Sequence, residues 1–156
     1  MKPEVRALAA EVLMEDLLKT LEVTDPVPLV ISGSSMDPFL VHGRDTVFLS
    51  KLTRQPRRGD MLLYRRKNGQ YVLHRVARAG QTLTLIGDGQ VGLEPGIQAE
   101  QVLAVVSAVR RKGKLLKPGH PIWAFYEKIW IRLIRIRPRL LGLFRRLRPG
   151  RDTLEQ

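Results

Sequence analysis

Between Pro28 and Val109 the chain breaks into short apolar or alternating runs at 28–32, 45–50, 60–65, 70–77, 82–86 and 102–109. Turn formers separate them: Gly43, Arg58-Gly59-Asp60, Asn68-Gly69, Gly80, and Gly87 to Gly89. Runs this short, with alternate residues apolar, suit strands and are too brief for helices. Their regular spacing predicts a compact, mainly β, antiparallel domain. Asn68-Gly69 is the clearest hairpin turn, because both residues tolerate positive φ.

Helical texture flanks this region. Val5, Leu8, Val12 and the Leu17/Leu21 pair recur at helical spacing, which predicts an amphipathic helix over 3–21. The prolines of 24–28 should end it. In 121–147, Ile122, Tyr126, Ile129, Trp130, Leu133, Ile136, Leu140, Phe144 and Leu147 fall on one face. Lys128, Arg132, Arg135, Arg139 and Arg146 fall on the other. Arg137 and Arg148 violate the pattern, and Pro138 should kink or break the helix. The organisation expected is an N-terminal helix and linker (1–26), a β domain (27–117) and a basic helical tail (118–156).

Composition removes several classes of function. The absence of cysteine excludes disulfides and thiolate metal sites. His42, His74 and His120 lie far apart without metal-ligand spacing, so no metal and no cofactor are expected. No window approaches the roughly 18 uncharged apolar residues of a membrane span. Glu4, Arg6, Glu11, Glu15 and Asp16 interrupt any apolar stretch of a secretory leader. A cytoplasmic location is therefore expected, extending to the inner face of the membrane. Residues 1–109 hold 13 Lys/Arg against 12 Asp/Glu, whereas 110–156 hold 14 against 3. The tail thus carries +11 (14 − 3) of the net charge of +12 and is expected to attract anionic lipid, nucleic acid or an acidic protein.

The chemistry-bearing segment is Ile31-Ser-Gly-Ser-Ser-Met-Asp-Pro-Phe-Leu40. A strand leads into small residues that let the backbone turn sharply and expose the Ser35 hydroxyl, with amide N–H groups near a substrate carbonyl. Alone this is a polar turn. His74 follows 39 residues later in a strand, on the face of Val72 and Val76. It suits either a general base or a buried core histidine. Asp88, between glycines and 14 residues further on, suits either a turn or a partner brought to His74 by adjacent antiparallel strands.

Taken together, these segments resemble the boxes of signal peptidase I and of the LexA-type self-cleaving repressors. Gly33-x-Ser35-Met36-x-Pro38 is similar to the serine box, Gly59-Asp60-Met-Leu-Leu-Tyr64 to the second box, and Leu73-His74-Arg75-Val76 to the third. The base there is lysine in the bacterial enzymes and histidine in the archaeal and endoplasmic reticulum type. Gly87-Asp88 is similar to the box whose aspartate supports the histidine. Two departures stand out. Gly43-Arg44-Asp45 alters a Gly-Asp pair, and a charged amphipathic helix replaces the usual membrane anchor.

The resemblance covers roughly 28–112 and implies a signal peptidase/LexA-like β domain with a serine peptidase activity. Ser35 would be nucleophile, His74 base and Asp88 its orienting partner. The Ser35 amide would be the oxyanion donor, Gly33 would shape the turn, Ser34 or Ser32 would give secondary support, and Met36 would pack beneath. The expected substrate is a leader or precursor peptide bound extended along a strand edge. With an ordinary histidine pKa of about 6.5, activity is expected to rise through neutral pH. Ala79-Gly80 resembles the bond cut in LexA-type repressors, but it follows His74 in a hairpin, so self-cleavage is not expected. A peptidase-like module that grips a peptide or partner without efficient cleavage is the alternative. Further partners considered are an anionic membrane surface along 121–147, with Trp123, Phe125, Tyr126 and Trp130 at headgroup depth, and a second copy in a homodimer. No nucleic-acid motif accompanies the arginines.

Overall fold

The computed structural model describes residues 3–147, with side chains from Ala9 onward. The expectations that rest on Val5, Leu8, Arg148 and the end of the tail lie outside the described side chains. Helix α1 (Pro3–Val23) is followed by eight strands: β1 (Val27–Val30), β2 (Thr46–Ser50), β3 (Met61–Arg65), β4 (Tyr71–Arg78), β5 (Leu83–Ile86), β6 (Glu94–Ile97), β7 (Val102–Arg111) and β8 (Lys114–Leu116). They form one antiparallel sheet in the order β1-β2-β7-β3-β4-β5-β6, with β8 paired to β7. The mainly β architecture agrees with the pattern of short alternating runs.

Two strands were not legible in the sequence. Strand β6 reads Glu-Pro-Gly-Ile, a turn-like composition, yet it pairs with β5 at the sheet edge, where a proline removes no ladder bond the sheet needs. Strand β8 is only three residues long and follows Lys112-Gly113, both at positive φ (50° and 77°). That pair makes a tight hairpin, and Asn68-Gly69 makes the hairpin turn expected of it, between β3 and β4. At the β3–β4 turn only Gly69 has positive φ, and Arg66 and Gln70 close the loop through a backbone bond of 2.8 Å.

Sheet alternation divides the interior. Along β3, Met61 and Leu63 join the larger core with Val47, Leu49, Phe39 and Leu40, whereas Leu62 and Tyr64 join a second cluster with Val76, Leu83, Leu85 and Ile97. Both faces of β3 are therefore covered, which an amphipathic strand pattern does not reveal. Strand bulges at Phe48/Leu49, Leu63/Tyr64, Val76/Arg78 and Leu83/Leu85 curl the sheet around these clusters. Helix α1 packs its last turns, through Leu17 and Leu21, on the larger core, while Val12 and Leu13 stay exposed.

The C-terminal segment departs from the single helix expected. Helix α2 (Pro121–Ala124) runs into a π turn (Phe125–Ile129) and a 3-10 turn (Trp130–Arg132), and helix α3 (Arg137–Arg146) starts afresh. Pro138 sits in the first turn of α3, where its missing N–H costs nothing, so it starts a helix rather than kinking one. Trp123, Tyr126 and Trp130 are buried in the larger core, which leaves Phe125 as the exposed aromatic of the four considered for headgroup contact. Arg137 breaks the helical pattern because it is fully buried. No helix among the described residues is long and apolar enough to cross a membrane.

Candidate active site

Ser35 and His74 line one cavity of about 240 Å³, together with Ser32, Gly33, Met36 and Gln90. Ser35 lies on the turn that follows β1, and His74 lies at the middle of β4 opposite Leu62 of β3. The turn requires glycine at position 33, where φ is 81°. The Gly33 N–H donates to His42 Nδ1 at 3.0 Å. Met36 is buried and packs in the larger core while lining the cavity. Ser32 is exposed at its rim. Ser34 does not line this cavity. It opens into an adjoining one of about 620 Å³ that Gly33, Ser35 and Gln90 also line, beside Leu141 and Phe144 of α3.

Hydrogen bonds define the state of His74. Tyr64 Oη donates its only proton to Glu94 Oε2, at 2.5 Å. Its oxygen can then only accept at the 3.1 Å contact with His74 Nδ1, so Nδ1 carries the ring proton. Nε2 is left as the unprotonated, basic nitrogen. It is buried and has no hydrogen-bond partner among the described residues. Arg66 grips Glu94 through two bonds of 2.8 and 2.9 Å. Those bonds hold the Glu94 carboxyl below its ordinary range, ahead of a smaller opposing effect of burial. Burial, then Glu94, keeps the Tyr64 hydroxyl protonated far above its usual pKa.

Burial also pushes the His74 pKa down from its ordinary value to about 4, and the nearby Glu94 carboxylate only partly opposes this. The expected rise of activity through neutral pH is therefore corrected. The imidazole is neutral throughout the neutral range, and its titration falls in acid.

Asp88 is not the residue that orients His74. Both of its carboxylate oxygens accept from Arg75, Nε and NH2, at 2.8 Å each, and the pair is fully buried. Successive residues of a strand face opposite ways, so Arg75 and His74 diverge, and Asp88 follows Arg75. The group that reaches the imidazole is Tyr64, with Glu94 behind it. Alternation along β3 and β4 already put Tyr64 and His74 on one face. Glu94 was missed because β6 reads as a turn.

Asp88 nevertheless bears on Ser35. The Gly89 N–H donates to the Ser35 carbonyl at 2.9 Å. A Cβ on Gly89 would stand 2.8 Å from the Ser34 carbonyl oxygen, and one on Gly87 would overlap the Ser35 carbonyl oxygen. The glycines at 87 and 89 are thus required by close approach, and Asp88 is the fixed point between them. With its carbonyl anchored, the Ser35 N–H makes no hydrogen bond among the described residues.

Along β4, Arg75, Val76 and Arg78 pair with β5, whereas Tyr71–His74 pair with β3 alone. That half strand lines the same cavity as Ile31–Gly33 and Ser35. Among the described residues no cluster of three or more His, Asp or Glu could hold a metal ion. Comparison with protein-family models, with curated proteins and with solved structures finds no match to this chain.

Proposed function

We propose that the chain is a serine endopeptidase of the signal peptidase/LexA type, acting on an extended peptide with Ser35 as nucleophile and His74 as base. The observation that carries this reading is His74 Nε2. Its ring lines the cavity that also holds a serine on a glycine-shaped turn, and this nitrogen is buried, unprotonated and without a partner among the described residues. A histidine kept only for packing would be expected to use both ring nitrogens.

In the proposed reaction Ser35 Oγ bonds to the scissile carbonyl carbon as its proton passes to His74 Nε2. The imidazolium that forms keeps its Nδ1–H on Tyr64 Oη, and the Glu94 carboxylate behind Tyr64 stabilises the charge. The Ser35 N–H is the oxyanion donor, a contribution typically worth about 10²–10³ in rate. Collapse breaks the C–N bond and Nε2 returns the proton to the leaving amine. Nε2 then takes a proton from water as its oxygen attacks the ester carbonyl, and collapse breaks the acyl–Oγ bond while Nε2 returns that proton to Ser35 Oγ. The free edge of Tyr71–His74 gives an extended substrate main-chain partners beside the reacting atoms.

One observation favours the second reading, a module that grips a peptide without cutting it efficiently: the Ser35 hydroxyl and His74 Nε2 share a cavity without being hydrogen-bonded to each other. Catalytic bonds that are loose in a free enzyme and close with substrate give the same picture. Labelling with a fluorophosphonate separates the two. Peptidase chemistry requires labelling of the wild type that Ser35→Ala and His74→Ala abolish. A folded wild type left unlabelled across pH 6–9 would establish the binding module instead.

A further inference from the structure

We propose that the C-terminal segment is part of the catalytic apparatus, with Trp130 and Arg137 as positioning residues that hold the Gly87–Gln90 turn against the Ser35 loop. The inference rests on the peptidase reading above and adds a requirement to it.

The turn follows β5 and precedes β6 at the edge of the sheet, so ladder bonds do not fix it. Its own closure is one bond, Gln90 N–H to Gly87 carbonyl, 3.1 Å. Three of its four backbone carbonyls are held from the C-terminal segment. Trp130 Nε1 donates to the Asp88 carbonyl at 2.8 Å. Arg137 NH1 donates to the carbonyls of Gly87 at 3.0 Å and Gln90 at 2.9 Å. Arg137 NH2 donates to the Trp130 carbonyl at 2.9 Å, which ties the two residues into one clamp. The guanidinium also lies over the Trp130 ring, 5.3 Å from its centroid.

Arg137 is fully buried; its two terminal nitrogens bond carbonyl oxygens rather than a carboxylate, and its Nε has no hydrogen-bond partner among the described residues. Removing a cation from water costs several kcal/mol unless its donors are well used. A leucine would fill such a core site without that cost. What the arginine adds is a rigid fork that fixes three carbonyls at once. The fixed turn then reaches the nucleophile through the Gly89 N–H bond to the Ser35 carbonyl. A second attachment runs through Phe39, four residues after Ser35. It stacks on Tyr126 with ring centroids 4.6 Å apart and meets Trp123 edge-on at 6.2 Å. Both ends of the serine loop thus lean on the segment that charge patterning marks as a separate basic tail.

The test compares wild type with Trp130→Phe, which deletes the indole donor together with part of its buried ring, and with Arg137→Lys, which keeps charge but not the fork. Two readouts are needed: the fluorophosphonate labelling rate across pH, and amide hydrogen exchange at Gly89 and at core amides such as Val47 and Leu63. The expected result is a labelling rate lower by about 10- to 100-fold, the scale on which small misplacements act. Gly89 protection should fall by at least about tenfold while sheet protection is retained. The pH midpoint should not move, because Tyr64 and Glu94 are untouched. Trp130→Phe with labelling and Gly89 protection within about twofold of wild type would overturn the clamp, as would protection lost uniformly across the sheet. If wild type itself does not label, the peptidase reading falls, and Gly89 exchange alone decides whether the clamp exists.

Discussion

The depressed His74 pKa ties stability to pH in a window that few other groups share. The folded-state value is about 4 because burial disfavours the imidazolium. The unfolded chain should titrate near the ordinary value of about 6.5. A depressed folded pKa contributes stability that is fully present above the unfolded pKa and is lost as pH falls toward the folded one. Between pH 7 and 5 the unfolded histidine becomes protonated while His74 in the fold stays neutral, a difference of about 2 kcal/mol. The whole interval down to pH 4 amounts to roughly 3 kcal/mol. The carboxyls of Asp25, Asp45 and Glu94 are held below their ordinary range, so their loss of stability comes at lower pH. Urea unfolding of wild type and His74→Gln at half-unit steps from pH 7.5 to 4.5 measures the difference, in which other groups cancel. Wild type should lose about 2 kcal/mol more than the variant between pH 7 and 5. The labelling rate of wild type should be half-maximal near pH 4 and level through neutral pH. Stability curves parallel to within about 0.5 kcal/mol, or a labelling midpoint near 6.5, would refute the burial argument.

Asp88→Asn should destabilise the fold by about 3–5 kcal/mol, because Arg75 is left as a buried cation without its carboxylate. Chemical denaturation checks this, and the labelling pH midpoint should not rise, since Asp88 acts on His74 through its charge, which favours the imidazolium, and not through a hydrogen bond. Tyr64→Phe deprives the His74 Nδ1–H of its acceptor and should cost about 1–3 kcal/mol in stability, measured by urea unfolding. It should also slow labelling at neutral pH, whereas an unchanged rate would remove Tyr64 from the site. Both tryptophans of the chain are buried in the larger core, so anionic vesicles should leave tryptophan emission unshifted even where the arginines bind lipid. A blue shift on adding vesicles would show that the C-terminal segment leaves the core.

Periodicity and turn chemistry determined the strand-forming runs and the N-terminal helix. These follow from local rules: alternation sets which residues share a face, and small residues mark sharp turns. Only the box resemblance grouped Ser35 with His74, which lie 39 residues apart in the chain. Asp88 was legible as important but not for its reason, because its partner depends on which side of β4 the fold turns toward it. Alternation sends Arg75 to Asp88 and His74 to Tyr64. Glu94 was hidden by a strand written with proline and glycine, which only pairing at a sheet edge makes extended. The tail was the largest departure. An apolar face at helical spacing fits lipid, a partner or the chain's own core equally well. Only tertiary packing on Phe39 selected the core, broke the helix and turned the misfit Arg137 into a buried clamp.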